Sequence, residues 1–139
     1  IIHNENIEIS GVHMNLKQLK AMLNTLPFEI TLVDENDINI YFNEGEKVFT
    51  RPQMAIGRPV YSCHPKRVEP IVRMLISDFK KGKRDSLTIL SERSGHPVVV
   101  NYFALRDDDG TYLGTLEAVQ IIDGLADAIR NNKKGPIDL

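Results

Sequence analysis

Between Asn15 and Leu26 the apolar positions recur every three or four residues. Leu16, Leu19 and Leu23, with Met22 and Leu26 widening the stripe, mark one face of an amphipathic helix. Asn15 stands where it can cap that helix, and Gln18 three residues on completes a capping-box arrangement. Pro27 stops it, because the residue before a proline is driven out of the helical region. Ahead of the helix only Ile7 and Ile9 alternate, and weakly, so residues 1–14 are predicted to be a lead-in or an edge segment.

The period then drops to two. In FEITLVD, Phe28, Ile30 and Leu32 alternate with Glu29, Thr31 and Val33; in DINIYFN, Ile38, Ile40 and Phe42 alternate with Asn39, Tyr41 and Asn43. Asp34-Glu35-Asn36-Asp37 between them reads as a turn, so the pair is predicted to be a β-hairpin. Its polar positions are not very polar, and each strand is expected to be covered in part on both sides. Gly45 to Tyr61 keeps no period and is punctuated by Gly45, Pro52, Gly57 and Pro59, which predicts short helical turns.

A helical stripe returns at Val68, Ile71, Val72, Leu75 and Phe79, flanked by Met74 and Ile76. Pro70 is tolerable only in the first turn, so this helix starts between about Lys66 and Pro70, and Gly82 ends it. DSLTILSER, PVVVNYFALR and TYLGTLEAVQII follow, rich in β-formers and separated by Ser94-Gly95 and by Asp107-Asp108-Asp109-Gly110. They predict an antiparallel meander. Asp123 then caps a short helix running to about Arg130, before a frayed tail. An antiparallel sheet with helices gathered on one face is an α+β solution. The divisions are a lead-in over 1–14, the main domain over 15–123, and a terminal helix and tail over 124–139.

At 139 residues, with 42% hydrophobic and 26% charged residues, the chain fits one globular domain with its own core. A net charge of −2 supplies no field to attract nucleic acid or anionic membrane, so neither is an expected partner. The apolar runs are far shorter than a bilayer span, and a single cysteine cannot form an internal disulfide. These features predict a cytoplasmic location. The chain starts without Met, as a piece of a longer protein would.

The element order, and the residues that carry it, resemble a PAS domain. LKAMLNTLPFEITLVDENDINIYFNEG is similar to the PAS opening, a helix followed by a strand ending in Val-Asp. AIGRPVYSCHPKRVEPIV resembles the connector, in which a hydrophobic-Gly-Arg leads to a His-Pro before the long helix. VNYFALRDDDGTYLGTLEAVQII resembles the closing hairpin. The combination of Phe49, Arg51-Pro52, Ile56-Gly57-Arg58, Cys63-His64-Pro65, SDFKKGKRD and YLGTLE is narrower, and resembles the PAS module that ends a group of bacterial hemerythrin-like-domain proteins. The resemblance spans about Leu16 to Ile122. It implies a five-stranded antiparallel sheet with a helical connector on one face and flanking N- and C-terminal helices. It also implies a sensing or dimerisation role, a homodimer, and a hemerythrin-like or other output domain as partner.

Three readings are open at Cys63-His64-Pro65. The pair His64-Pro65 can simply start the helix, since proline is favoured there. Cys63 or His64 could ligate haem, although the spacing matches neither a Cys-x-x-Cys-His attachment nor a zinc site. Or Cys63 is a redox-sensing thiol, its pKa lowered by a helix N-terminus with Lys66 and Arg67 beside it. Covalent flavin photochemistry is excluded because Pro59 follows Arg58 and the cysteine lies further on. Catalysis by Cys63 and His64 fails on geometry, since adjacent residues point apart. No catalytic residue and no metal site are therefore assigned, and no cofactor is identified. Asp107-Asp108-Asp109-Gly110 is not a calcium loop: with Gly110 at the sixth position, Leu105 and Leu116 fall at the first and twelfth. The run Lys80-Lys81-Gly82-Lys83-Arg84 is a local basic stretch with two readings, an anion-binding patch or charges that complement a helix C-terminus and solvate a loop.

The resemblance places a ligand cavity between the inner sheet face and the connector. Phe42, Phe49, Ile56, Val60, Val72, Leu75, Tyr102 and Val119 are the candidate lining, with Tyr61, Arg73 and Asn101 as polar contacts. The competing expectation is that these side chains fill an ordinary core. The Leu16, Leu19 and Leu23 face is the candidate dimer surface, or else packs on its own domain.

Overall fold

The capping box read from Asn15 and Gln18 forms as expected. Asn15 Oδ1 accepts the Gln18 amide at 2.8 Å, and Gln18 Oε1 accepts the Asn15 amide at 3.0 Å. Helix α1 runs Leu16–Thr25 from this cap in a computed structural model that describes residues 6–9, 12–44 and 56–131. It is preceded by a two-stranded antiparallel hairpin, β1 (Asn6–Ile9) and β2 (Val12–Asn15), with Ile7 opposite Met14 and Ile9 opposite Val12. The lead-in is thus a hairpin and not a loose edge. Its second strand shows only once Val12 and Met14 are read as the register partners of Ile9 and Ile7.

Five strands make the main sheet: β3 (Glu29–Asp34), β4 (Asn39–Phe42), β5 (Ser86–Arg93), β6 (His96–Arg106) and β7 (Tyr112–Ile121). Their spatial order is β4-β3-β7-β6-β5, and the pairs are all antiparallel. The first and last strands in sequence therefore lie side by side, closing a single sheet from two separated segments. Tight turns set the hairpin registers. Ser94 and Gly95 both take positive φ, which suits the right-handed twist of the strands they join. Gly114 is fixed by proximity: a Cβ there would stand 2.2 Å from the Val33 carbonyl oxygen.

The connector consists of a 3-10 turn, Val60–Cys63, and helix α2, Glu69–Lys80, with Pro70 in its first turn. Its buried face is Leu75, Ile76 and Phe79, with Val72 packed beside them. Ile71 is exposed, although the apolar spacing had put it on the stripe, and Ile76 takes the buried place. The chosen face follows the i, i+3, i+4, i+7 set 72, 75, 76, 79, and Ile71 falls at its margin. Arg106 locks the far end of α2, donating to the Phe79 carbonyl at 2.7 Å while its Nε meets Asp85 at 2.9 Å.

Two apolar clusters hold the layers together. Val33, Val60 and Ile76 join β3 to the connector, and Val98, Val100 and Val119 join β6 to β7. Each such side chain contributes about 1.5–3 kcal/mol by leaving water. Helix α3, Asp123–Asn131, closes the described chain. Its start is tied to the β5–β6 turn by His96 Nδ1, 2.6 Å from Asp123 Oδ2, and by the Ile122 amide on the Pro97 carbonyl. No helix among the described residues is long and apolar enough to cross a membrane.

Candidate functional site

Strand register assigns the sheet faces. Val33 packs on the connector, so its same-face partners Thr115 and Ala104 face that way too, as do Glu29, Thr31, Phe42, Glu117, Val119, Val100 and Tyr102. Phe28, Ile30 and Leu32, the apolar set in the sequence alternation, thus include the residues of the outer face. Among the candidate lining residues, Phe42, Tyr102 and Val119 lie on the inner face; Val60, Val72 and Leu75 approach from the connector. Asn101 belongs to the outer face, where its Oδ1 accepts the Thr88 hydroxyl at 2.6 Å. Ile56 is exposed, and Phe49 lies outside the described residues.

The inner face also holds groups that apolar patterning does not reveal. Tyr102 pairs directly across from Glu117. Burial, then the charge and hydrogen bond of Glu117, push the Tyr102 phenol well above its ordinary range. The ring stays neutral, with its hydroxyl turned to a carboxylate inside an apolar layer. Glu29 is only 2% exposed, two pairs along the sheet from Glu117. The signal for both was the register, since a cross-strand partner 15 residues away is invisible to a period of two.

Asp37 organises the polar side of the connector. It turns the β3–β4 loop at a φ of 67° and accepts the Tyr61 hydroxyl on Oδ2 at 2.9 Å. Its carbonyl takes the Val60 amide at 2.8 Å. Lys80 Nζ stands 2.8 Å from Oδ1, within ion-pair range but outside hydrogen-bonding geometry. Burial first, and then Asp37, push the Tyr61 phenol up to about 12. The Arg73 guanidinium lies 3.8 Å above the Tyr61 ring centre, a cation–π contact. Tyr61 and Arg73, both read as polar contacts, are therefore joined to each other in a groove between α2 and the 3-10 turn, lined also by Ile76, Ser77, Lys80 and Lys81.

His64 Nδ1 lies 2.9 Å from the Val60 carbonyl, so that nitrogen donates a proton and closes the 3-10 turn. The Cys63 backbone ends the same turn, and its side chain lies outside the described residues. Among the described residues no three His, Cys, Asp or Glu side chains gather as a metal site.

A PAS domain family model matches residues 19–123. No curated protein sequence matches the chain. The fold superimposes on the C-terminal domain of a Streptococcus mutans protein with a TM-score of 0.82 and 31% identity, covering 89% of this chain and 97% of that one. A PAS domain from Colwellia psychrerythraea aligns with a TM-score of 0.57 and 20% identity, over 78% of this chain and 98% of that one. The PAS domain of Bordetella pertussis BvgS aligns at 0.59 and 13%, over 83% and 91%. The five-stranded order, the connector on one face and the match across residues 19–123 agree: the chain belongs to the PAS domain family.

Proposed function

We propose that this PAS domain is a sensory module that takes a small molecule between the inner sheet face and the connector, and signals to a partner domain. The observation that carries this reading is the Tyr102–Glu117 pair, on the same sheet face as the Val98, Val100 and Val119 cluster. Desolvating a carboxylate costs several kcal/mol unless something compensates it. Glu117 accepts the Tyr102 hydroxyl, and the further acceptor sites of its carboxylate suit the donors of a small ligand with an apolar body, or an amine. Such a layer of apolar walls with a few polar groups is the ordinary composition of a binding site. The output partner we propose is a domain elsewhere in the parent protein, a hemerythrin-like domain being the one its narrower resemblance favours.

Native mass spectrometry and an absorption spectrum of freshly purified protein test the reading. An added mass that Glu117→Gln reduces, with the far-UV spectrum unchanged, supports it. A bare chain mass, together with no rise in melting temperature across a library of amines and small metabolites, removes it.

A second reading, a homodimerisation module, is favoured by the outer face and the flanking helices. Leu90 and Phe103 on the outer face, Met22 on α1 and Leu125 and Ile129 on α3 are all exposed. Sedimentation analysis of Leu90→Glu and Phe103→Glu decides whether a second copy covers them. A monomer in wild type removes this reading.

A further inference from the structure

The connector carries a second feature, along the flank of α2 that borders the 3-10 turn. Arg73, Ser77 and Lys81 recur every fourth residue, so they form one stripe along the helix. This stripe lines a groove of about 320 Å³ with Tyr61, Ile76 and Lys80. We propose that the groove binds an oxyanion, the carboxylate or phosphate group of a small molecule, held by Arg73, Ser77 and Lys81.

Donor accounting supports it. Arg73 Nε and Nη2 both go to Glu69 Oε1, at 3.0 and 2.7 Å, and the guanidinium plane rests on the Tyr61 ring. These contacts fix its orientation and engage Nε and Nη2, so Nη1 is the donor to spare. The Ser77 hydroxyl and the Lys81 ammonium have no partner among the described residues. Guanidinium, hydroxyl and ammonium thus stand in line, one helical turn apart, with donors to spare. Charge-assisted hydrogen bonds of this kind are the strong ones.

The local charge agrees. Three cations line the groove, Arg73, Lys80 and Lys81, and the two carboxylates paired with them are Glu69 and Asp37. One positive charge is left over. Residues 66–85 as a whole hold seven cations against three carboxylates, in a chain whose net charge is −2. The groove lies near the C-terminal end of α2, where the helix dipole disfavours an anion. That end is already neutralised: the Ser77, Asp78 and Phe79 carbonyls accept the Lys81, Lys83 and Gly82 amides, and Arg106 also donates to Phe79.

Neither Tyr102 nor Glu117 lines this groove, so its failure leaves the sensory reading untouched. The test is a ¹⁵N–¹H titration of the 139-residue chain with sodium phosphate and, separately, sodium acetate, with sodium chloride matching ionic strength. Saturable shifts confined to the amides of Tyr61, Arg73, Ser77 and Lys81 are expected with at least one probe. Which probe saturates assigns phosphate or carboxylate. Arg73→Gln should weaken binding about tenfold, the loss expected for one hydrogen bond to a charged group. Ser77→Asp should abolish binding, and Lys81→Gln, at an exposed position, repeats the Arg73 test without touching the Tyr61 stack. No saturable shift with either probe overturns the proposal, as does binding of wild-type strength in a folded Ser77→Asp or Lys81→Gln variant.

Discussion

The inner face of the sheet holds the buried cluster Val98, Val100 and Val119, yet the same face carries Glu29, Glu117 and Tyr102. The outer face is built from the alternate residues, and there Leu90 is 75% exposed and Phe103 39%. The carboxylates Glu29 and Glu117 thus share the face that carries the valine cluster, while Leu90 and Phe103 on the other face meet solvent. A sheet that served only as a scaffold would show the reverse, because exposed leucine gains nothing and a buried carboxylate is costly. The two departures have different meanings. In the two readings we propose, the inner carboxylates serve a ligand with donors and the exposed apolar residues a second copy of the chain.

The largest expected effect is at Gly114, where β7 crosses closest to β3. Gly114→Ala forces a methyl against the Val33 carbonyl and should cost about 2–4 kcal/mol, read as a fall in melting temperature. A melting temperature within a degree of wild type would mean that the two strands do not approach as closely as the register requires. Next comes a direct contrast of the faces. Val98→Ala, at a side chain with no exposure, should lose about 2 kcal/mol in chemical unfolding. Leu90→Ala should stay within about 0.5 kcal/mol for the isolated chain. Equal losses would show that the outer face is covered too, and a concentration-dependent loss at Leu90 would identify a second copy as the cover.

A pH experiment separates the connector from the sheet. Tyr61 has its phenol raised from 10.0 to about 12, so the folded state binds that proton more tightly than the unfolded chain. The stability it contributes is complete below pH 10 and is lost as pH rises towards 12. In Asp37→Asn the Tyr61 absorbance change at alkaline pH should move downward but stay above 10.0, because burial, the largest cause, remains. An unmoved titration would mean that Asp37 does not hold the phenol. The smallest effect belongs to the exposed His96–Asp123 pair. His96→Gln should cost no more than about 0.5 kcal/mol, yet speed hydrogen exchange at the start of α3. Unchanged exchange there would leave the Ile122 amide as the contact that fixes the helix.

Much of the fold was legible because it is local. The Asn15–Gln18 box, the Gly82 stop, the Ser94-Gly95 turn and the Asp107–Gly110 turn each depend on residues within a few positions of one another. The face assignment was not legible. In FEITLVD the apolar alternation favours Phe28, Ile30 and Leu32, but Val33, on the opposite face, is the residue that packs on the connector, and period two cannot say which face a helix will cover. The Arg73–Tyr61 contact was half legible. Both residues were singled out, yet their stacking required the 3-10 turn to lie across α2. Lys80, first read only as part of a basic run, turned out to face Asp37 from 43 residues away.

From Leu16 onward, sequence alone determined which segments are helices and strands, about where they stop, and that an α+β sheet with a connector is the outcome. It could do so because capping, turn chemistry and periodicity act over a single turn or strand. Only the tertiary structure decided that β3 and β7 become neighbours, that Glu117 meets Tyr102, and that Arg73, Ser77 and Lys81 border an open groove. Those are contacts between distant residues, fixed by how whole elements pack together, and no local rule encodes them.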